Sequence, residues 1–218
     1  MLRKIFITED GSPSIAIEET GITYHSKYGA IAESKHVYIN AGLIPLLNKY
    51  ETINIFEMGF GTGINAYLSL LEAEQNKQAI YYETVELNPL ELNEISLLNG
   101  EINNEYFLKL HEENWNEAIK INDLFSIKKN KINLQLFSTV QQFHLIYFDA
   151  FAPVNQPELW TVEIFKKMFD LLLPDGVLVT YSSQSAARRN MQAAGFTVQK
   201  FKGIFGKREC VIARNCEI

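Results

Sequence analysis

Cysteine is scarce in this chain. There are two, Cys210 and Cys216, both near the C-terminal end and neither surrounded by metal-ligand companions. That scarcity excludes a disulfide-stapled scaffold and a clustered metal site, and it points to a reduced, cytoplasmic setting with no bound metal. Long hydrophobic runs are also missing. No stretch approaches the roughly 20 apolar residues that span a bilayer. The opening Met1-Leu2-Arg3-Lys4 leads into no apolar signal segment, so neither a membrane nor an export route is expected. Positive charge is short overall: 20 Lys and Arg face 26 Asp and Glu, a net charge of −6. That balance argues against a general polyanion binder. Repeats and low-complexity stretches are absent.

What is present is a chain of 218 residues, 47% hydrophobic, enough to bury one sizeable core. Its organising stretch is Ile53-Asn54-Ile55-Phe56-Glu57-Met58-Gly59-Phe60-Gly61-Thr62-Gly63. A short β-branched run, three alternating glycines and a helical segment from Ile64 to Leu71 predict a buried strand, a tight turn and a helix N-terminus. That layout holds a nucleotide at the carboxyl end of a sheet. The spacing is G-x-G-x-G rather than the dinucleotide G-x-G-x-x-G, because Ile64 stands where the third glycine would be. Glu57, just before the turn, would repel a pyrophosphate and suits a cationic ligand. Turn chemistry alone is the alternative for these glycines. A second strand, Ala79 to Glu86, ends in an acid about 23 residues past Gly63, close to the offset of about 20 for a carboxylate on ribose hydroxyls. One carboxylate can accept from both hydroxyls.

The remaining elements follow from pattern. Lys4 to Ile17 reads as a hairpin with Asp10-Gly11 as a type I′ turn. Residues 29–47 read as a helix with Glu33, Ser34 and His36 on its polar side; His36 by itself fits a surface histidine as well as a functional one. Glu91 to Asn133 is helical in tendency, with Trp115 as its anchor and Lys128-Lys129-Asn130-Lys131 as an exposed turn. Ile132 to Phe137 reads as a third strand and His144 to Phe148 as a fourth, ended by Asp149. A helix over 158–172, a strand over Val177–Tyr181, a helix over 185–194 and a closing hairpin complete the chain. Alternating strands and helices predict an α/β fold with a mostly parallel sheet and one antiparallel strand near its edge. The expected organisation is one domain over 1–218, with the hairpin and helix of 1–50 leading into a core over 51–218.

Two further features bear on chemistry. Asp149-Ala150-Phe151-Ala152-Pro153, followed by Pro157-Glu158-Leu159-Trp160-Thr161, places a carboxylate at the carboxyl end of strand four. There, substrate groups meet a bound nucleotide. Phe151, Pro153 and Trp160 form a rigid, partly aromatic wall suited to stacking a base; a proline-pinned loop over a buried Trp is the plainer alternative. From Arg188 to Arg214 there are seven Lys and Arg against one acid, Glu209, so the segment carries +6 and the rest −12. This patch fits either local phosphate contact or a solvated helix face and hairpin.

Taken together, these residues resemble the MnmD-type methyltransferase family, which completes 5-methylaminomethyl-2-thiouridine at the wobble position of certain transfer RNAs. The matching motifs are Tyr24-His25-Ser26, Glu33-Ser34-x-His36-Val37, Gly59-Phe60-Gly61-Thr62-Gly63-x-Asn65 and Glu86-x-x-Pro89-Leu90. They continue with Asp149-Ala-Phe-Ala-Pro, Pro157-Glu-x-Trp160-Thr161, Arg188-Arg189 and Lys207-Arg208-Glu209. The resemblance implies a Rossmann-like class I S-adenosylmethionine methyltransferase fold, with a seven-stranded sheet, a C-terminal antiparallel hairpin and a small N-terminal β extension. It implies S-adenosylmethionine as cofactor, held by Glu57, Gly59, Phe60, Gly61, Thr62, Gly63, Asn65, Glu86, Leu87 and Asp149. It implies transfer RNA as partner. On the substrate side it points to Tyr24, His25, Ser26, Glu33, His36, Phe151, Pro153, Trp160 and Tyr181, together with the basic Arg188, Arg189, Lys202, Lys207 and Arg208. In many relatives a flavin-dependent oxidoreductase is fused to this domain; this length leaves no room for it, so a stand-alone enzyme is expected, with the aminomethyl precursor made by a separate enzyme. Relatives also carry an acid after strand three, near the adenine, where this chain reads Phe137-Ser138-Thr139-Val140.

The implied reaction moves a methyl group to a primary amine, which must be neutral to react. For a lysine-like pKa of about 10.4, deprotonation at pH 7 costs roughly 4.6 kcal/mol. An ordinary aspartate is a poor base for such an amine, so Asp149 is assigned first to orienting it. The alternatives are a methyl- or aminopropyltransferase acting on a small amine, and a non-catalytic RNA-binding module on the same fold.

Overall fold

The computed structural model describes residues 2–205 and 209–216. Strands β1 (Arg3–Ile7) and β2 (Pro13–Ile17) pair antiparallel, with Ile5 opposite Ile15. Their connection is a five-residue loop over 8–12 rather than a two-residue turn at Asp10-Gly11. Thr8 and Ser12 close it through a backbone bond of 2.9 Å. The loop is longer because it has a second task. The Asp10 carboxylate accepts from the Ala32 amide (3.0 Å), and the Ser12 hydroxyl accepts from the amides of Ala30 and Ile31 (3.0 and 3.1 Å). These are the orphan donors at the start of α1 (Ala30–Ser34), whose own N-cap, Gly29, has no side chain to offer.

The helix runs on from α1 through a nine-residue π-helical stretch, Lys35–Leu43, to a 3-10 turn at Ile44–Leu46. A Cβ on Gly42 would stand 3.1 Å from Val179 and 3.2 Å from Leu145, so this rod lies directly on the central sheet. After it come β3 (Thr52–Met58), α2 (Ile64–Asn76), β4 (Ala79–Val85), α3 (Leu92–Ile102) and α4 (Glu105–Glu112). Next are β5 (Ala118–Lys120), β6 (Phe125–Asn130) and β7 (Phe143–Phe148), then a 3-10 turn at Pro157–Leu159 and α5 (Val162–Leu171). The chain closes with β8 (Leu172–Thr180), α6 (Ser185–Ala193), β9 (Thr197–Lys202) and β10 (Glu209–Arg214).

The sheet order is β5-β6-β4-β3-β7-β8-β10-β9. Strands β6, β4, β3, β7 and β8 are parallel; β10 and the short β5 run against them, and β9, antiparallel to β10, points the same way as the parallel strands. Among the described residues the sheet therefore has eight strands, the eighth being β5 on the outer edge of β6. Alternation along β3 sends Ile53 and Ile55 to one face and Phe56 to the other, and each face has its own core. The first lies under α2, α4 and the π-helical rod; the second lies under α5 and α6. Among the described residues, no helix is long and apolar enough to cross a membrane.

The expected elements over 91–137 need correction. Two short helices replace the single long one, Ile132 to Phe137 is loop, and the third core strand is β6, which includes Lys128, Lys129 and Asn130. Lys129, expected in an exposed turn, is only 1% exposed. Its charge is tolerated because Nζ donates to the carbonyls of Leu110 and His111 at the end of α4 (2.7 and 2.8 Å) and lies over the Phe60 and Trp115 rings. Lys128, on the other face, pairs with Glu83 at 3.1 Å. The partners of both lysines are distant in sequence, so a charged run disguised a core strand. The helix expected over 158–172 is likewise shorter. Thr161 caps it, accepting from the Ile164 amide at 3.3 Å.

Burial moves the Lys129 pKa down to about 8, below its ordinary 10.5. The folded protein then releases this proton before the unfolded chain does, so stability is gained as pH rises from about 8 towards 10.5 and is lost again as pH falls through 8. Denaturant melts at pH 7.5 and 9.5 should show wild type gaining about 1–3 kcal/mol relative to Lys129→Met over this interval. Parallel pH dependence in the two proteins would contradict a strained ammonium at this position.

Candidate active site

A cavity of about 550 Å³ opens at the carboxyl ends of β3, β4, β6, β7 and β8. Its floor is the glycine turn. Gly59, Gly61 and Gly63 all have positive φ (87°, 50° and 73°), which a residue without Cβ adopts freely. A Cβ on Gly59 would stand 3.0 Å from the Asp149 carbonyl oxygen, and one on Gly63 would stand 2.8 Å from His111 Nε2. Phe60, Thr62 and Asn65 line the cavity beside Gly59 and Gly61. Gly63 is set back as the N-cap of α2. Burial holds the His111 pKa down to about 4. The neutral ring donates from Nε2 to the Thr62 carbonyl at 3.0 Å, so His111 braces the turn from below.

Glu86 and Leu87 line one side of the cavity. The Glu86 carboxylate accepts from the amides of Gly61 (3.1 Å) and Asn88 (2.7 Å), which ties the end of β4 to the glycine turn. Each oxygen keeps acceptor capacity for a further hydroxyl. Asp149 lines the opposite side. Tyr38, from the π-helical rod, donates to its Oδ1 at 2.6 Å, and Asn65 donates to its Oδ2 at 2.8 Å. Burial and then the neighbouring Asp149 charge drive the Tyr38 pKa well up, so this phenol stays a donor. Tyr38 had no sequence signal: inside a helical pattern it reads as one more core aromatic.

The N-terminal segment closes the cavity over the glycine turn through Tyr24, His25 and Ser26. The Tyr24 ring meets Phe151 edge-on at 5.1 Å, and His25 is held between Ser14 (3.0 Å) and Thr62 (3.5 Å). Glu33 accepts from the Ser26 amide at 2.9 Å and also faces the cavity. Phe151 and Tyr181 complete the wall, Tyr181 donating to the Ala150 carbonyl at 2.9 Å.

Other expected site residues stand elsewhere. Glu57 does not reach the cavity; it is completely buried behind Asn65, because alternation along β3 points it into the first core. Trp160 is 3% exposed and supports the wall from within, donating from Nε1 to the Phe151 carbonyl at 2.8 Å, and Pro153 lies outside the lining. His36 ties the rod to the Lys202 carbonyl at 2.7 Å. Arg188 folds back onto Ser183 and Ser185 (3.1 and 3.2 Å), while Arg189 and Lys202 are exposed. None of these four lines the cavity. Lys207 and Arg208 lie outside the described residues. The segment after the third core strand is Lys131 to Leu134, not Phe137 to Val140, and its Ile132, Asn133 and Leu134 line the cavity where relatives are expected to carry an acid.

The lining is acidic. Glu33, Glu86, Asp149 and Glu158 contribute carboxylates, and among the described residues no Lys or Arg contributes a charge to balance them. Such a cavity disfavours a pyrophosphate and suits a ligand that carries a sulfonium and an amine. The close backbone approach at Gly59 and Gly61 and the carboxylate beside it fit S-adenosylmethionine.

Two solved structures share the architecture. The crystal structure of MNMC2 from Aquifex aeolicus superposes with a TM-score of 0.80 at 23% identity, over 100% of this chain and 72% of that one. Spermidine synthase from Thermotoga maritima superposes at 0.60 and 16% identity, over 98% and 69%. Sheet order, glycine turn and cavity together define a class I, Rossmann-like methyltransferase fold. The family model for S-adenosyl-L-methionine-dependent methyltransferases matches residues 96–215, more than half of the chain, and the protein belongs to that family. A curated relative is the tRNA 5-methylaminomethyl-2-thiouridine biosynthesis bifunctional protein MnmC of Azoarcus sp. (strain BH72), 27% identical over 222 residues. The alignment covers 94% of this chain and 34% of that protein, so the chain spans about a third of its relative's length.

Proposed function

We propose that this methyltransferase N-methylates the 5-aminomethyl group of a wobble (2-thio)uridine in transfer RNA, giving 5-methylaminomethyl-(2-thio)uridine. The observation that carries this reading is the acidic cavity with Asp149 held at its side by Tyr38 and Asn65. The name of the MnmC relative supplies the substrate class. Bound at the glycine turn and Glu86, S-adenosylmethionine supplies an electrophilic methyl group. The protein's own part is positioning: Asp149 accepts a hydrogen bond from the amine, fixes its direction and leaves the lone pair to the electrophile. Tyr38 and Asn65 fix the carboxylate in turn. Phe151 and Tyr181, with Tyr24 across from them, offer faces for an extruded base, and extrusion from a loop costs less than from a duplex. Because the π-helical rod delivers Tyr38 and packs into the first core, we read the whole chain as one catalytic unit. An earlier reaction must supply the primary amine.

The test is methylation of transfer RNA bearing 5-aminomethyl-2-thiouridine, followed by nucleoside analysis. Conversion to the methylaminomethyl nucleoside supports the assignment. Methylation or aminopropylation of free polyamines with transfer RNA untouched would replace it with a small-amine transferase.

Phosphates cannot be received in an acidic cavity, so they are assigned to the exposed Arg189 and Lys202 on the elements that follow β8. Replacing both by alanine should raise the KM for transfer RNA and reduce the log–log salt slope by about 0.7–0.9 for each phosphate that is no longer neutralised. An unchanged slope would return these side chains to plain surface.

A further inference from the structure

Glu57 poses a physical problem. It is a carboxyl with 0% exposure in the middle of a parallel sheet, facing Thr84 of β4 on one side and Tyr147 of β7 on the other. Its Oε1 accepts from Asn65 Nδ2 at 3.0 Å, whereas Oε2 has no hydrogen-bond partner of full geometry among the described residues. The buried Tyr82 and Thr84 hydroxyls lie beside the same carboxyl and face it as donors, without reaching full hydrogen-bond geometry to any group among the described residues. Asn65 Nδ2 is shared: it also donates to Asp149 Oδ2, at 2.8 Å. One amide therefore joins a carboxyl that never reaches the cavity to a carboxylate that lines it.

We propose that Glu57 is a positioning residue for the methyl-transfer reaction, holding the Asn65 amide so that its second N–H fixes the direction of Asp149. The inference rests on the amine-methylating reading of the site. Glu57 acts in its neutral form. An ionised Glu57 would place a second negative charge behind Asn65, facing Asp149, in a site shut off from water; the Tyr82 and Thr84 hydroxyls favour that charged form, but burial outweighs them. The ionisable groups around it, Asp149 and Tyr147 from β7 and its margin and Tyr82 from β4, are all acids and supply no cation to hold it charged. Burial is the main cause that drives its pKa well up, and the Asp149 charge adds to it. A neutral Glu57 leaves Asp149 as the single charge on this hydrogen-bonded chain.

The experiment uses the full chain with S-adenosylmethionine, and transfer RNA carrying the aminomethyl nucleoside. Glu57→Leu should lower kcat on the order of 10²-fold, as misplacement of a reacting partner does, while the calorimetric Kd for S-adenosylmethionine changes less than about threefold. The conservative Glu57→Gln, a neutral amide of the same shape, should recover kcat to within about threefold. Infrared difference spectra at pH 7 should show a protonated-carboxyl carbonyl band in wild type that Glu57→Gln lacks. This readout stands even if Glu57→Leu does not fold. A tenfold or greater rise in the Kd of Glu57→Gln would overturn the proposal in favour of a direct charged contact. So would full kcat in a folded Glu57→Leu, or absence of the infrared band. A wild-type protein that binds S-adenosylmethionine but leaves the transfer RNA unmethylated would instead strike the amine-methylating reading, and the infrared band would still report on Glu57.

Discussion

Asp149→Ala should eliminate methyl transfer, lowering single-turnover rates by at least about 10²-fold, while S-adenosylmethionine still binds. The carboxylate is the acceptor at the cavity wall for which Tyr38 and Asn65 are arranged. Without it the amine loses its direction, and two buried donors lose their partner, a stability cost of about 1–3 kcal/mol. Asp149→Asn separates the possible roles. Its amide oxygen still accepts one hydrogen bond, but its NH2 faces either Tyr38 or Asn65 donor to donor. Measurable residual activity is therefore expected if the carboxylate orients the amine, and none if it must take a proton. In wild type the rate should rise with pH towards the amine's own pKa, since the neutral amine is the reactive form. Near-normal turnover by a folded Asp149→Ala would show that another group holds the amine.

Glu86→Ala should weaken S-adenosylmethionine binding by about 1.5–3 kcal/mol for each ribose hydrogen bond removed, which for one bond is already more than tenfold. The loss should exceed the ribose term alone. Glu86 also accepts from the Gly61 and Asn88 amides, so its removal loosens the glycine turn as well. Glu86→Gln tests this directly. An amide can keep one oxygen on the turn, and its binding should fall between wild type and alanine. Isothermal titration that found the alanine variant unchanged would remove Glu86 from the ribose site.

The cavity floor was legible because its signals are local. Three glycines with positive φ, an apolar strand before them and a helix after them occupy adjacent positions, and backbone sterics decide their conformation wherever the segment is placed. Strand β7 with its terminal Asp149, and the closing β9–β10 hairpin, were legible for the same reason. Strand β6 was not. Its sequence Phe125-Ser126-Ile127-Lys128-Lys129-Asn130 carries two adjacent lysines, and what makes them bearable is two α4 carbonyls for one and Glu83 for the other. Those neighbours come from other turns of the fold and leave no mark in the local pattern. Misplacing β6 also displaced the segment that follows it, so Ile132, Asn133 and Leu134 were overlooked as cavity residues.

The sequence by itself determined the order of strands and helices outside 91–137, the glycine turn, and the two acids Glu86 and Asp149 at strand ends, since each rests on neighbouring residues and periodicity. Tertiary structure alone decided which polar groups meet. It set Glu57 behind the cavity rather than in it, brought Tyr38 from the π-helical rod onto Asp149, and turned Trp160 inward beneath Phe151. The physical reason is the same in each case. A buried polar side chain is stable only where a partner completes its hydrogen bonds, and those partners lie between 8 and 111 positions away along the chain.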